Sequence, residues 1–228
     1  MTAENINVIG LTRIQKLIGK RMHEAKLNKP SFYLNVKVDI TNMMEVRQKL
    51  RKSHNTKVTT NSFYIKALAN AAEKFPLMIG RIQGENIVIE NSVNVGFAVD
   101  APQGLVVPVI KSANTKSLIE ICREESEFTE KARDNKLTPS DMDGQNICTT
   151  NLGAFNIDSF IAIIPPISSA ILAIGKSNRE MIAQNKQPVA KKILTMTLTV
   201  DHKVINGDYA ARFLRCVVQQ LENPGEMT

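Results

Sequence analysis

The chain has 228 residues, with 29 Lys and Arg against 22 Asp and Glu for a net charge of +7, and is 43% hydrophobic but only 5% aromatic. That length buries a substantial core, and a 22% charged fraction beside abundant Ile, Leu and Val excludes a disordered chain. The longest apolar run, residues 160–175, falls short of the ~18–20 residues of a membrane span and is broken by Pro165 and Pro166; the polar N-terminus has no secretory h-region. Leu11, Ile14, Ile18, Met22 and Ala25 recur at helical spacing and predict an amphipathic helix over 12–28, ending before Pro30. Phe32, Leu34, Val36 and Val38 then alternate with polar neighbours as a strand. Thr41 or Asn42 is positioned to cap a helix running to about Lys52, and residues 60–74 form another, stopped by Pro76. A hairpin turns at Gly84-Glu85-Asn86, and longer strands at 93–99 and 105–110 are joined through Pro102-Gln103-Gly104.

Residues 116–134 predict a helix with Leu118, Ile121, Cys122, Phe128 and Ala132 inward. Short strands follow at 146–150 and 170–174. In the strand 193–200, Leu194, Met196, Leu198 and Val200 alternate with Thr195, Thr197 and Thr199, so one face is core and the other carries hydroxyls. Asp208 is read as the cap of a last helix over 209–221. With no repeat and no low-complexity linker, the mixture predicts an α/β sandwich in one domain, residues 1–228.

Cys122, Cys148 and Cys216 are an odd, scattered set with no CxxC pair, which argues for reduced thiols in an intracellular protein and against a disulfide framework or zinc site. The cations are dispersed, and the one dense group (Arg47, Lys49, Arg51, Lys52) lies in a predicted helix. Without Trp and with three Tyr, the chain lacks the stacking platform of a nucleic-acid module. The charge suits a polyanionic small molecule, such as a nucleotide-bearing cofactor. Neither nucleic acid nor membrane is expected as a partner.

Chemistry concentrates at Asp201-His202-Lys203-Val204-Ile205-Asn206-Gly207-Asp208, between the most regular strand and the last helix. A histidine at a strand end can serve as a general base if its ring is held, and Asp201 and Asn206 are the local groups available to hold it. Taken alone, a strand-end histidine is more often structural. His23 and His54 fall in solvated charged stretches, and no two histidines have metal-ligand spacing, so no metal is expected. Cys148-Thr149-Thr150-Asn151-Leu152-Gly153 ends a strand in adjacent hydroxyls and a glycine, able to present a donor to an oxyanion; strand alternation favours Thr150 over Thr149.

These segments, in this order, resemble the catalytic domain of the dihydrolipoyl acyltransferases of 2-oxoacid dehydrogenase complexes. The likeness runs through Ile18-Gly19-Lys20-Arg21-Met22, Lys66-Ala67-Leu68-Ala69, Asp100 to Ile110 (the family's GLVVPV segment), Thr150-Asn151-Leu152-Gly153 (SNLG), Ala170 to Gly175 (AILAIG), and Asp201 to Gly207 (DHRVxDG), continued by Ala210-Ala211-Arg212-Phe213-Leu214. It implies the fold of chloramphenicol acetyltransferase: a mixed β-sheet flanked by helices, in a trimer whose active sites lie between subunits, with trimers building cubic or dodecahedral cores. The implied reaction moves an acyl group between dihydrolipoamide and coenzyme A. His202 is then the general base, Thr150 the oxyanion hydroxyl and Asn206 a residue orienting the site. Arg47, Thr59, Asp100, Asn151 and Gly175 are carried over as coenzyme A contacts.

Relative to the family, Asn206 stands for Asp, Thr150 for Ser and Lys203 for Arg. Pro165-Pro166-Ile167-Ser168 replaces Asn-Pro-Pro-Gln or Glu, and Gln145 replaces a glycine. The family's lipoyl and peripheral-subunit-binding domains are absent from this sequence, so the lipoyl group is expected from another domain or chain, together with the dehydrogenase components as partners. The expected compartment is the bacterial cytoplasm or the mitochondrial matrix. Acetyl is favoured as the acyl group, with succinyl and branched-chain groups as alternatives. Two other readings compete: an inactive scaffold core, which commonly loses the histidine, and a small-molecule O-acetyltransferase, which usually carries His-His where this chain has Asp201-His202.

Overall fold

A computed structural model describes residues 8–54 and 56–227. Helix α1 (Arg13–Asn28) starts on a reciprocal cap: the Thr12 hydroxyl accepts from Gln15 N–H while the Gln15 side chain accepts from Thr12 N–H. Ala25 near its end is buried, but Leu17, Ile18 and Leu27 are 51%, 41% and 71% exposed. Strand β1 (Ser31–Asp39) follows, with Phe32, Leu34, Val36 and Val38 on the core side as the alternation predicts. Neither Thr41 nor Asn42 caps α2 (Thr41–Ser53). Thr41 is already helical, and the Asp39 carboxylate accepts from both its N–H (2.9 Å) and its hydroxyl (2.5 Å).

Helix α3 (Thr60–Lys74), capped by Thr59, is the centre of the molecule. Nine of its fifteen residues are buried, and its small side chains Ala67, Ala69, Ala71 and Ala72 let neighbouring elements approach closely. The short hairpin β2 (Arg81–Gln83) and β3 (Asn86–Val88) turns on Gly84 at φ +61.

The two longer strands expected at 93–99 and 105–110 are each broken, giving β4 (Val95–Phe97), β5 (Val99–Ala101), β6 (Gly104–Val106) and β7 (Val109–Ile110). Phe97 N–H donates to Pro108 O and Ala98 N–H to Thr149 O, but Pro108 has no N–H to return, so β5 and β6 leave the main sheet as a separate ribbon. Helix α4 (Leu118–Arg133) opens on a Ser117–Glu120 capping box, and β8 (Ile147–Asn151) follows. Strands β9 (Ala170–Gln184) and β10 (Gln187–Asp201) run fifteen residues each, far longer than predicted. A two-residue loop joins them, with Asn185 and Lys186 at φ 50 and 62. Helix α5 (Gly207–Glu222) is capped by Asn206, not by Asp208: the Asn206 Oδ1 accepts from Tyr209 N–H at 2.9 Å.

The main sheet has the order β1-β10-β9-β8-β4-β7, with β8 parallel to β9 and β4 and the remaining pairs antiparallel. Helices α2 to α5 cover one face and form the core with Val38, Leu172, Met196, Leu198, Val95 and Phe97. An irregular strap, residues 157–169, crosses the other face, where Ile164 packs on Cys148 and Ile171. The result is the expected mixed sheet flanked by helices.

Candidate active site

His202 lies in the turn that joins β10 to α5. Its N–H donates to Pro30 O at 2.8 Å, and its exposed ring stacks at a tilt on Phe32, centroids 4.7 Å apart. The two groups expected to hold the ring are engaged elsewhere. Asp201 Oδ1 accepts from Lys203 N–H at 3.0 Å and so shapes the turn, and Asn206 caps α5. Among the described residues no hydrogen bond reaches the imidazole, which is left to Phe32 alone. Beside the turn is a cavity of about 530 Å³, walled by Lys29, Arg81, Ser168, Ser169, Asp201 and Lys203 among others.

Thr150 sits at the far end of β8. Thr149 faces the helix layer, 3% exposed, with its hydroxyl donating to Leu172 O at 3.2 Å. Thr150 is half-buried on the opposite face, and among the described residues its hydroxyl has no partner. The two threonines thus face opposite sides of the sheet, as the strand alternation predicts, and an oxyanion donor would have to be free in the way Thr150 is. Next to it, Asn151 donates to Asn61 Oδ1 at 2.9 Å and accepts from Gly153 N–H at 2.8 Å.

Asn61, Asn151 and Gly175 line a second cavity of about 470 Å³. Gly175 is required there because the 157–158 backbone crosses β9 at this point: Lys176 N–H donates to Ile157 O, and a Cβ on Gly175 would land on the Asp158 carbonyl. A third cavity of about 590 Å³ adjoins it, sharing Met44 and Lys192. Arg47, Arg51, Arg179, Lys191 and Lys192 surround it with Glu45 as the lone acid in the lining, an environment suited to phosphate groups. Lys191 is paired with Asp39 at 3.1 Å, and Arg47 Nε donates to Val58 O at 2.9 Å.

Two carried-over residues stand outside these cavities. Thr59 caps α3 and donates to the buried Glu125 carboxylate at 2.5 Å. Asp100 is exposed on the β5–β6 ribbon. Conversely, Asn61, Arg51, Arg179 and Lys192 line the two cavities without having been singled out as site residues. Only the four-residue spacing of Arg47 and Arg51, which puts both on one helix face, hinted at it.

The His202 and Thr150 ends of the sheet do not meet within one chain. Thr150 pairs with Ala173, Ala173 with Thr197, and His202 lies five residues beyond Thr197. At ~3.3 Å per residue and ~4.8 Å per strand this is ~16 Å along the sheet and ~10 Å across it, too far for both to touch one carbonyl group.

Residues 3–228 match the family model of the 2-oxoacid dehydrogenases acyltransferase (catalytic domain). The acetyltransferase component of the pyruvate dehydrogenase complex of Rickettsia felis is 35% identical over 98% of the chain and 55% of its own length. The succinyltransferase component of the 2-oxoglutarate dehydrogenase complex of Haemophilus influenzae is 34% identical over 95% of the chain and 54% of its length. The chain thus spans about half the length of these curated relatives. Among solved structures, Azotobacter vinelandii dihydrolipoamide acetyltransferase superposes with a TM-score of 0.93 at 28% identity, covering 99% of this chain and 95% of that one. The cubic core of a pyruvate dehydrogenase multienzyme complex gives 0.93 at 29% identity, with the same coverage. Chloramphenicol acetyltransferase, 13% identical with a TM-score of 0.57 over 89% of the chain and 94% of its own, shares the fold. The chain belongs to the 2-oxoacid dehydrogenase acyltransferase family, of which it carries the catalytic domain.

Proposed function

We propose that this chain transfers an acyl group, with acetyl favoured, between dihydrolipoamide and coenzyme A, as the catalytic core of a 2-oxoacid dehydrogenase complex. The observation that carries this reading is a spacing. A serine, a histidine and an asparagine whose role in the catalytic mechanism of the Azotobacter enzyme has been investigated stand 52 and 4 residues apart, the separations of Thr150, His202 and Asn206. Threonine keeps the hydroxyl of serine, and the asparagine matches directly.

The chemistry follows from the two ends of the sheet. His202 removes the proton from the attacking thiol, and the thiolate adds to the carbonyl carbon of the other partner's thioester. The Thr150 hydroxyl donates to the resulting oxyanion. Collapse breaks the original C–S bond, and the departing thiolate recovers the proton from the imidazolium. No acyl-enzyme forms, because both partners already carry sulfur. The cavity lined by Asn151 and Gly175 suits the pantetheine arm, and the adjoining basic cavity suits the phosphates of coenzyme A. The lipoyl arm comes from another domain or chain.

Completing the site requires a second copy that brings its Thr150 to this chain's His202. The exposed apolar stripe of α1 supports such an association, as does the cubic core that the chain resembles. A trimer built into a larger core is the arrangement proposed. The test is transfer from acetyl-coenzyme A to dihydrolipoamide, followed by thioester absorbance, with succinyl-coenzyme A in parallel. Activity in the wild type that falls ~10²–10⁴-fold in His202→Ala supports the reading; a folded oligomer inert toward every thioester overturns it in favour of a scaffold.

A further inference from the structure

Residues 165–168, which depart from the family pattern, have a partner in the structure. Three of the segment's carbonyls converge on the ammonium of Lys29: Pro165 O at 2.5 Å, Pro166 O at 2.8 Å and Ser168 O at 2.6 Å. An ammonium has three N–H donors, and all three are engaged. A neutral amine has two, and its lone pair would face the third carbonyl.

Lys29 is also next in sequence to Pro30, whose carbonyl holds His202 N–H. Ser168 is next to Ser169, whose carbonyl holds Asp201 N–H at 2.9 Å. The side chain of Lys29 therefore closes a ring that runs through Pro30, His202, Asp201, Ser169 and Ser168. The two peptide N–H groups at the base of the His202 turn are both fixed by members of this ring. Among the described residues no side chain hydrogen-bonds the imidazole, so the backbone of the turn and the Phe32 face set where it points.

We propose that Lys29 is a positioning residue for His202: its ammonium fastens the 165–168 segment to the start of β1, and so holds the catalytic turn between them. The proposal rests on the reading of His202 as the base.

Only the charged form of Lys29 can fill the cradle, so the ring is sensitive to pH. Burial lowers Lys29 to about 8, against the opposing pull of Asp201. The groups facing it are Asp201 at the end of β10, Cys148 on β8, Lys203 in the turn and Arg81 on β2. Cys148 is pushed up to about 12 by burial and stays a thiol at the pH values of interest. Lys203 Nζ donates to Asn28 O at 2.7 Å, and Arg81 pairs with Glu90 at 3.5 Å.

The experiment measures kcat and KM for acetyl-coenzyme A between about pH 7 and 9.5 in the wild type, Lys29→Met and Lys29→Arg, together with amide exchange of a peptide spanning residues 199–206. In Lys29→Met, kcat is expected to fall about tenfold or more with KM within about twofold, since the coenzyme A cavities share no residue with the Lys29 cavity. Exchange in the peptide should accelerate. The wild-type kcat should decline above about pH 8, and Lys29→Arg, which keeps its charge throughout, should restore most of the rate and remove that decline. Wild-type kcat and exchange in Lys29→Met overturn the proposal, as does an Arg variant that keeps the alkaline decline. An inactive wild type defeats the acyl-transfer reading instead, and the exchange comparison still decides whether Lys29 holds the turn.

Discussion

Mixing two inactive variants tests whether the site is shared between copies. The register puts Thr150 and His202 of one chain ~16 Å apart along the sheet and ~10 Å across it, whereas a base and an oxyanion donor must both lie within ~3 Å of one reacting group. A His202→Ala chain still carries Thr150, and a Thr150→Val chain still carries His202. If each site draws the two residues from neighbouring subunits of a ring, random co-assembly in equal amounts leaves about a quarter of the sites intact. The parents should be weak: loss of a base costs ~10²–10⁴-fold, and loss of one oxyanion donor ~10²–10³-fold. Co-expressed chains with two affinity tags, purified through both, should therefore show about a third of wild-type acyl transfer as isolated trimers and about a quarter in a large core, well above either parent. Activity no higher than the mean of the parents would refute the shared site and require both groups to act within one chain.

Three further outcomes are expected. Glu125 is buried and accepts from the Thr59 and Ser62 hydroxyls, each at 2.5 Å, and burial pushes its carboxyl above the ordinary 4.5 despite those bonds. The folded state therefore holds this proton more tightly than the unfolded chain, so stability falls as pH rises from about 4.5 through the raised value and stays lower beyond it. Glu125→Gln keeps the acceptor without the charge and should raise Tm at neutral pH, with the gain vanishing below about pH 4.5; a Gln variant that melts earlier at neutral pH contradicts this. Arg51→Ala with Arg179→Ala should raise KM for coenzyme A and flatten its salt dependence while sparing kcat, and should matter less for dephospho-coenzyme A. An unchanged KM would remove the phosphates from that cavity. Gly175→Ala should cost ~1–3 kcal/mol in denaturant unfolding, because the strap must shift to clear the new methyl; wild-type stability would show that the crossing is looser than described.

What could be read from the residues follows the range of the interactions. The strand alternations of β1 and β10, the helix of buried alanines and the free hydroxyl of Thr150 all reflect a two-sided environment that leaves a periodic trace. The outer half of β9 and β10 leaves none. Residues 179–192 pair only with each other, most are exposed or half-buried, and their turn uses Asn185-Lys186 with no glycine to mark it. The breaks in β4–β7 depend on Pro108 lying opposite Phe97, and the cap of α5 on a choice between two residues equally able to cap. The Asp201-to-Gly207 box identified His202 but not what holds it, since Pro30 is 172 residues away and the Lys29 cradle joins segments 136 to 139 residues apart.

The same long span has a kinetic consequence. Strands β9 and β10 meet through a two-residue turn, while β1 must find β10 across 170 residues, from Ser31 to Asp201. Loop closure at that length costs about 3–4 kcal/mol more entropy than the hairpin, so the hairpin is a local event and the β1 edge a late one. The peptide N–H of His202 gains its partner only when β1 docks. A newly made chain thus holds most of its sheet before it holds its histidine, and protection of the His202 peptide N–H from exchange during refolding marks the last strand to arrive rather than the first.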